Sequence, residues 1–204
     1  MPVLPAPQFI DHYALFGDVV AVAKKAKSAT IGWRAICVRA QRTLGKKVAH
    51  PLASLDLDDE IDGLGVRVRT IAAQAPLAID TLVYGLFDGL HVTPAEGVPV
   101  ADERGIYTGF HLTGMTDFDP ATRWLAASSP RWRLEDRFLA SRALDLIARG
   151  AAEARGEPKK AVLHAMRFGA AALLARFASE GLHQRIVVAF DDGDFAEIRP
   201  PIEW

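Results

Sequence analysis

The segment that most constrains the fold is the last helical stretch, because its centre has no polar face. A break at Gly156-Glu157-Pro158 precedes the stretch and Gly181 ends it. Proline suits the first turn of a helix, where its missing N–H group is no loss. From 169 to 175 the sequence reads GAAALLA. A helix that is apolar on all sides is buried among other elements, so we predict that it occupies the centre of a helical bundle.

Two segments near the N-terminus have apolar residues at helical spacing. Between 7 and 28 these residues are Phe9, Tyr13, Phe16, Val20 and Ala23. Between Thr30 and Leu44 they are Trp33, Ile36, Cys37, Ala40 and Leu44. The alternation of Ile31, Trp33, Ala35 and Cys37 would also suit a strand, but spacings of three and four match a helix better. Gly45 is expected to end the second helix.

A loop with His50-Pro51 is expected next, followed by a third helix. Its apolar residues are Leu57, Ile61, Leu64, Val68, Ile71 and Ala75. Gly63 and Gly65 disfavour a helix interior, so a strand over Gly65–Ile71 is the alternative. Pro76 is expected to open a fourth helix, whose apolar face is Ile79, Val83, Leu86 and Leu90.

The middle of the chain has a different pattern. Phe110 and Leu112 alternate with His111 and Thr113, which predicts a strand or an extended segment within 92–118. Asp119-Pro120 and Ser129-Pro130 each predict a helix start. The first helix would end near Trp124, and the second would turn Trp132, Leu139, Ala143, Leu146 and Ile147 inward.

The C-terminal part predicts a β-hairpin, because two apolar runs flank Asp191-Asp192-Gly193-Asp194. The predicted fold is therefore mainly α, a single globular domain over 1–204. It would contain six or seven helices and a small antiparallel sheet or C-terminal hairpin, an α+β arrangement. Its parts are N-terminal helices (7–91), an extended segment (92–118), C-terminal helices (119–182), and the hairpin with the tail (183–204).

Composition excludes several classes of protein. The 204 residues have a net charge of −1 and one cysteine, Cys37, so an intramolecular disulfide framework is excluded and a reducing compartment is expected. We find no run of about 20 apolar residues, so no membrane span is predicted. The start of the chain lacks the features of a signal peptide. The expected location is the cytoplasm, and no motif predicts a cofactor.

The charges are strongly segregated along the chain. Between Asp18 and Asp56 there are eight Lys and Arg residues and no carboxylate side chain, and five acids then occur within 56–62. The candidate binding residues are Arg34, Arg39, Arg42, Lys46 and Lys47. The first four are predicted to share one solvated arc of the second helix, opposite its apolar stripe. Such a surface attracts partners of opposite charge. An acidic protein partner is more consistent with it than nucleic acid, because no exposed aromatic residues are interleaved. Alternatively, the basic residues only solubilise a face or pair with the acidic run.

Two acidic groups are candidate metal ligands. The run from Asp56 to Asp62 offers oxygen ligands for a hard cation, but it lacks the spacing of a calcium loop. Acids at a helix start explain the run without a metal. Asp191, Asp192 and Asp194 would converge on a tight turn, although an Asp-Gly turn needs no metal to explain its sequence.

Catalytic candidates are few. His111 precedes Asp117 and Asp119, so it is a candidate general base of a hydrolase or nuclease. Cys37 is a candidate nucleophile if Arg34 or Arg39, which are close in sequence, lowers the pKa of its thiol. Its position on the apolar stripe predicts a buried, unreactive side chain instead. The sequence therefore favours a non-enzymatic cytoplasmic protein-binding protein, such as an immunity or inhibitor protein or an assembly or accessory factor. A hydrolase or nuclease and a nucleic-acid-binding protein remain the alternatives.

Overall fold

The computed structural model describes residues 12–87, 108–119, 121, 131–190 and 195–202. Within these ranges the chain forms six helices and five strands, so the α+β class is confirmed. The helices are α1 (His12–Lys25), α2 (Ala29–Leu44), α3 (Lys46–Ala53), α4 (Asp58–Ala72), α5 (Arg142–Glu153) and α6 (Glu157–Ala178). The strands are β1 (Thr81–Phe87), β2 (Gly109–Met115), β3 (Arg131–Ala140), β4 (Arg185–Phe190) and β5 (Phe195–Arg199).

The strands form one mixed sheet in the order β3-β2-β1-β4-β5. The predicted C-terminal hairpin is present as the antiparallel pair β4–β5. The expected antiparallel sheet is wrong in one respect, because β1 and β4 run parallel, with Thr81 beside Arg185 and Leu86 beside Phe190. Parallel neighbours need a long connection, and here that connection contains β2, β3, α5 and α6.

Helix α6 occupies the centre of the helical layer, as its sequence predicts. All residues from Ala165 to Ala175 are buried. The helix packs against α1, α2, α4 and α5 and also touches β1, β4 and β5. Among the described residues, α6 is long and apolar enough to cross a membrane by length and composition, contrary to the sequence expectation. However, 83% of its apolar window is buried inside the protein, which is also the pattern of a core helix.

Strand β1 replaces the fourth helix that was predicted from Pro76. Its central position, between β2 and β4, buries both of its faces. Leu82, Tyr84 and Leu86 join the core beneath the helices, whereas Val83 lies in a second cluster on the other face. A strand covered on both sides is apolar at nearly every position. The period of two is then invisible in the sequence, and spacings of three and four arise by chance.

Strand β3 replaces the first half of the helix predicted from Ser129-Pro130. The helix α5 starts only after Ser141, whose hydroxyl accepts a hydrogen bond from the N–H of Leu144 at 3.2 Å. Glu135 and Asp136 follow Ser129-Pro130, and acidic residues are also common in the first turn of a helix. The sequence therefore resembled a helix start, and the prediction of a helix here was wrong. Of the residues expected inward on α5, Ala143 and Ile147 are buried but Leu146 is 37% exposed.

A short helix, α3, replaces the loop expected around His50-Pro51, and Pro51 lies inside it. Burial of Leu52 fixes this segment, and the indole N–H of Trp33 donates to the carbonyl of Leu52 at 2.7 Å. The third predicted helix is confirmed as α4, so the alternative strand over Gly65–Ile71 is wrong. The short helix predicted from Asp119-Pro120 falls almost entirely outside the described residues.

The side chain of Arg199 joins the end of β5 to the chain that leaves α6. Its guanidinium donates to the carbonyls of Ser179, Leu182 and Gln184 at 2.8–2.9 Å. Burial lowers the pKa of Arg199 below its usual range, because desolvation disfavours the charged form. The first bond satisfies a carbonyl group at the end of α6, and the other two satisfy carbonyl groups of the connection between α6 and β4.

Candidate functional site

The candidate site is built on α2, whose two ends and inner face agree with the sequence prediction. Ser28 caps the helix by accepting a hydrogen bond from the N–H of Ile31 at 3.2 Å. Gly45 ends it with φ = 77°, a conformation that glycine adopts without strain. The predicted inner residues are all buried: Trp33, Ile36, Cys37, Ala40 and Leu44.

The five predicted binding residues are all exposed, but they lie on two helices. Arg34, Arg39 and Arg42 project from the outer face of α2. Lys46 and Lys47 belong instead to the first turn of α3, because Gly45 interrupts the helix. The single helical arc predicted for Arg34, Arg39, Arg42 and Lys46 is therefore only partly correct. The three arginines lie on one face of α2, and the two lysines follow after Gly45, where the helix is interrupted.

An apolar strip runs between these arginines, and the sequence analysis missed it. Ile31 and Val38 are 56% and 68% exposed, and Ala35 is exposed between them. Residues spaced by four and three lie on the same side of a helix, so the strip is continuous and leads to Arg42. The spacing of these three residues was visible in the sequence. It was overlooked because the stronger stripe through Trp33 defined the buried face.

Among the described residues, acidic groups touch this surface at its margins. The Asp18 carboxylate lies 4.0 Å from Arg39, and both side chains are more than half exposed. Within the described residues, Arg34 and Arg42 have no ion-pair partner within 4.0 Å. The Arg39–Asp18 pair is exposed, and such a pair contributes about 0–1 kcal/mol, so a partner can displace Asp18 at little cost. With Arg34 and Arg42 unpaired in the described part of the chain, the outer face of α2 remains positively charged.

The acidic run was predicted as one possible partner of the basic residues between Asp18 and Asp56, and Asp56 makes part of this contact. Its carboxylate accepts hydrogen bonds from the Thr30 hydroxyl at 2.8 Å and from the N–H of Asp58 at 3.0 Å. The bond from Thr30 is the main cause that lowers the pKa of Asp56, and the Arg34 charge adds a small contribution. The acidic run therefore binds the first turn of α2 through Asp56 and leaves the arginine side chains uncovered.

The rest of the acidic run has a structural role at two helix starts. Asp58, Asp59 and Glu60 occupy the first turn of α4, where the helix dipole favours negative charge. Glu60 also reaches α5, where its carboxylate accepts bonds from the Ser141 hydroxyl and the N–H of Ala143, both at 2.7 Å. Among the described residues, no three His, Cys, Asp or Glu side chains are placed to hold a metal ion.

A groove of about 610 Å³ lies between α4 and α5, beside Glu60. Asp145 lines it and is 6% exposed. One carboxylate oxygen of Asp145 accepts bonds from Arg149 Nε and Nη2 at 2.9 and 2.7 Å. Glu60 and Asp145 in this groove are thus engaged in helix capping and an ion pair.

The catalytic candidates are not brought together by the described structure. His111 lies in the middle of β2, opposite Gly85, and its side chain is exposed. Asp117 follows the end of β2, where its N–H donates to Asp80 at 3.3 Å. Met115 lies four residues beyond His111 on β2, which is roughly 13 Å of backbone, and Asp117 and Asp119 follow farther along the chain. The metal candidates Asp191, Asp192 and Asp194 lie outside the described residues.

Cys37 is a core residue. Its side chain is 2% exposed, and burial raises the pKa of its thiol to about 12. The thiolate is the reactive form of cysteine, so Cys37 is neither accessible nor ionised near neutral pH.

Comparison with known proteins adds no family to these observations. No protein-family model matches the chain, and searches of curated proteins and of solved structures also find no match.

Proposed function

We propose that this chain is a non-enzymatic cytoplasmic binding protein that holds an acidic protein partner on the outer face of α2. The observation that carries the proposal is the exposed strip of Ile31, Ala35 and Val38 between arginines. Immunity or inhibitor proteins and assembly or accessory factors work through such a surface, without a catalytic centre.

The apolar strip and the arginines have different roles in this proposal. Burying the Ile31 and Val38 side chains removes apolar area from water, which is worth about 25 cal/mol per Å². Arg34, Arg39 and Arg42 attract an acidic surface and orient it before contact. Arginine is also enriched among residues that dominate binding energy. A partner that fits both features presents apolar side chains flanked by carboxylates.

The alternatives have less support. A hydrolase or nuclease needs a base close to its partner groups, whereas His111 lies in the middle of β2 and Asp117 follows the end of this strand. Nucleic acid would be held mainly by phosphate contacts, which do not use Ile31 and Val38. Neither alternative accounts for the apolar strip.

The test compares partner capture by three forms of the full chain in extract of the source organism. These forms are the wild type, the triple variant R34E/R39E/R42E, and the matched control R155E/K159E/K160E, which makes the same change in net charge elsewhere. We expect one acidic protein to be captured by the wild type and the control and to be lost with the triple variant. Quantitative mass spectrometry of the captured material measures this difference.

A photo-crosslinking residue at position 38 then tests direct contact, because it must label the same acidic protein. The neutral double variant I31S/V38S should lose capture without any change in charge. Equal capture by wild type and a folded R34E/R39E/R42E protein contradicts the proposal. Capture of nucleic acid that weakens steeply with salt would establish the second alternative instead.

A further inference from the structure

A second groove, separate from the outer face of α2, lies between α3, α5 and the start of α6. Its volume is about 670 Å³, within the usual range for sites that bind small molecules. Most of the residues that line it are apolar: Leu44, Pro51, Leu52, Leu55, Leu146, Gly150, Ala154 and Leu163. The groove thus has the size and the lining of a site for a small apolar group.

The leucines form a floor and two sides. Leu163 on α6 is fully buried, and Leu52 on α3 is 8% exposed. Leu146 on α5 is 37% exposed, and Leu55 is partly exposed on the opposite side. A ligand that covers these side chains gains the free energy of removing apolar surface from water. An aliphatic chain is the group that such walls accommodate.

The rim of the groove is positively charged. Arg149, Arg155 and Lys159 lie there together with one acid, Glu153. Arg149 is bound to Asp145, whereas Arg155 and Lys159 are exposed and have no ion pair among the described residues. Two cations therefore remain for a ligand, and the complementary head group is an anion.

Gly150 keeps the groove open from within α5. A Cβ atom added to Gly150 would lie 4.0 Å from Leu163 Cδ2, an ordinary contact distance, so packing does not require glycine there. Glycine in a helix interior is less stable than alanine, because it loses more backbone entropy on folding. The missing side chain at this position leaves space for a ligand, and a larger residue would fill it.

From these features the geometry points to a binding site for a free carboxylic acid with an aliphatic chain of medium length. The chain lies between Leu55 and Leu146, above Leu163, and the carboxylate lies at the rim with Arg155 and Lys159. This site shares no residue with the proposed partner surface, so either can fail without the other.

The test is a titration of the full chain, followed by ¹H–¹⁵N and leucine-methyl NMR spectra. The probes are decanoate, acetate and decyltrimethylammonium, each below the concentration at which micelles form. We expect saturable decanoate shifts that centre on Leu146, Gly150 and Leu163. Acetate lacks the chain and its burial, and decyltrimethylammonium reverses the charge at the rim, so both should bind at least about fivefold more weakly.

Two variants locate the bound decanoate. Gly150→Leu should abolish binding while the protein stays folded, because leucine favours the helix and occupies the groove. R155Q/K159Q should weaken decanoate binding about fivefold, the size expected for exposed charge pairs. If Gly150→Leu does not fold, Leu146→Asn takes its place, since Leu146 is already partly exposed and a polar side chain there opposes chain binding.

Three results overturn the assignment. They are the absence of saturable decanoate binding, equal binding of decyltrimethylammonium, and unchanged decanoate binding by a folded Gly150→Leu or Leu146→Asn protein.

Discussion

The two sides of α6 pack in different ways, and glycine has the opposite role on each. On the side of α1 and α2, a Cβ on Gly32 would lie 2.5 Å from Leu173 Cδ2, and one on Gly169 would lie 2.6 Å from Ile36 Cδ1. On the side of α4 and α5, a Cβ on Gly65 would lie 3.3 Å from the carbonyl oxygen of Ala178, so one close approach exists there too. Farther from α6, Gly63 has no heavy atom within 4 Å of such a Cβ, and Gly150 has one at 4.0 Å. Both of these glycines line grooves.

This difference indicates which side of α6 is closely packed and which side leaves space that a ligand could occupy. Close approach of α2 to α6 needs glycine at the crossing, and close packing makes that side rigid. The opposite side also packs buried apolar residues against α6, and its open space lies farther out, in the grooves beside Gly63 and Gly150. Polar contacts such as those of Glu60 join α4 to α5 there. The proposed partner surface faces solvent from the tightly packed side, so its arginines rest on a rigid support. The proposed ligand groove lies on the open side.

The largest effect is expected from Gly32→Ala on the tight side. The added methyl group meets Leu173 and also Ala26, whose Cβ lies 2.8 Å away and cannot rotate aside. Overpacking of this kind costs about 1–3 kcal/mol, which outweighs the gain in helix propensity. The measurement is the free energy of unfolding in urea.

A double-mutant cycle with Leu173→Ala then tests the mechanism, since removal of the Leu173 side chain should recover part of the loss. A Gly32→Ala protein as stable as the wild type would show that the two sides of α6 do not differ as described.

The next effect is expected from Glu60→Ala on the open side. This change removes both bonds to the start of α5, and the loss of a helix cap typically costs about 1 kcal/mol. Asp59→Ala is the matched control, because Asp59 is exposed in the same turn of α4. We expect the control to cost less than about 0.5 kcal/mol. Hydrogen exchange should show weaker protection in the first turn of α5 for Glu60→Ala alone.

The smallest effect, of opposite sign, is expected from Gly63→Ala. The site has open space and lies inside α4, so alanine should raise the free energy of unfolding by about 0.5–1 kcal/mol. Thermal unfolding of the Gly63→Ala and Gly32→Ala proteins, measured side by side, compares the two changes in stability directly. A loss of stability in Gly63→Ala would mean that the open side is packed more closely than its geometry indicates.

Much of the helical part could be predicted from the sequence because its apolar residues have one clear period. The stripe through Trp33 and Leu44 placed α2 correctly, and the continuous apolar run of α6 predicted its central position. Strand β1 could not be predicted in this way, because both of its faces are buried. The start of β3 was misread since Ser-Pro followed by acids also marks a helix start.

The candidate surface was predicted in part. The charges of Arg34, Arg39 and Arg42 pointed to the outer face, because charged side chains remain in solvent. The exposure of Ile31 and Val38 depends on which neighbours cover α2, and the sequence gives no sign of that. The leucine groove was not predicted at all, since one of its walls comes from α3, which is distant in the chain from α5 and α6.

The sequence by itself determined that α6 is surrounded and that α2 turns its arginines outward, because both follow from the local pattern of apolar and charged residues. Only the tertiary structure decided that β1 lies between β2 and β4, that Gly32 and Gly169 mark a close crossing, and that a groove remains beside Gly150. These features depend on which distant segments come into contact, and the apolar spacing within one segment does not determine those contacts.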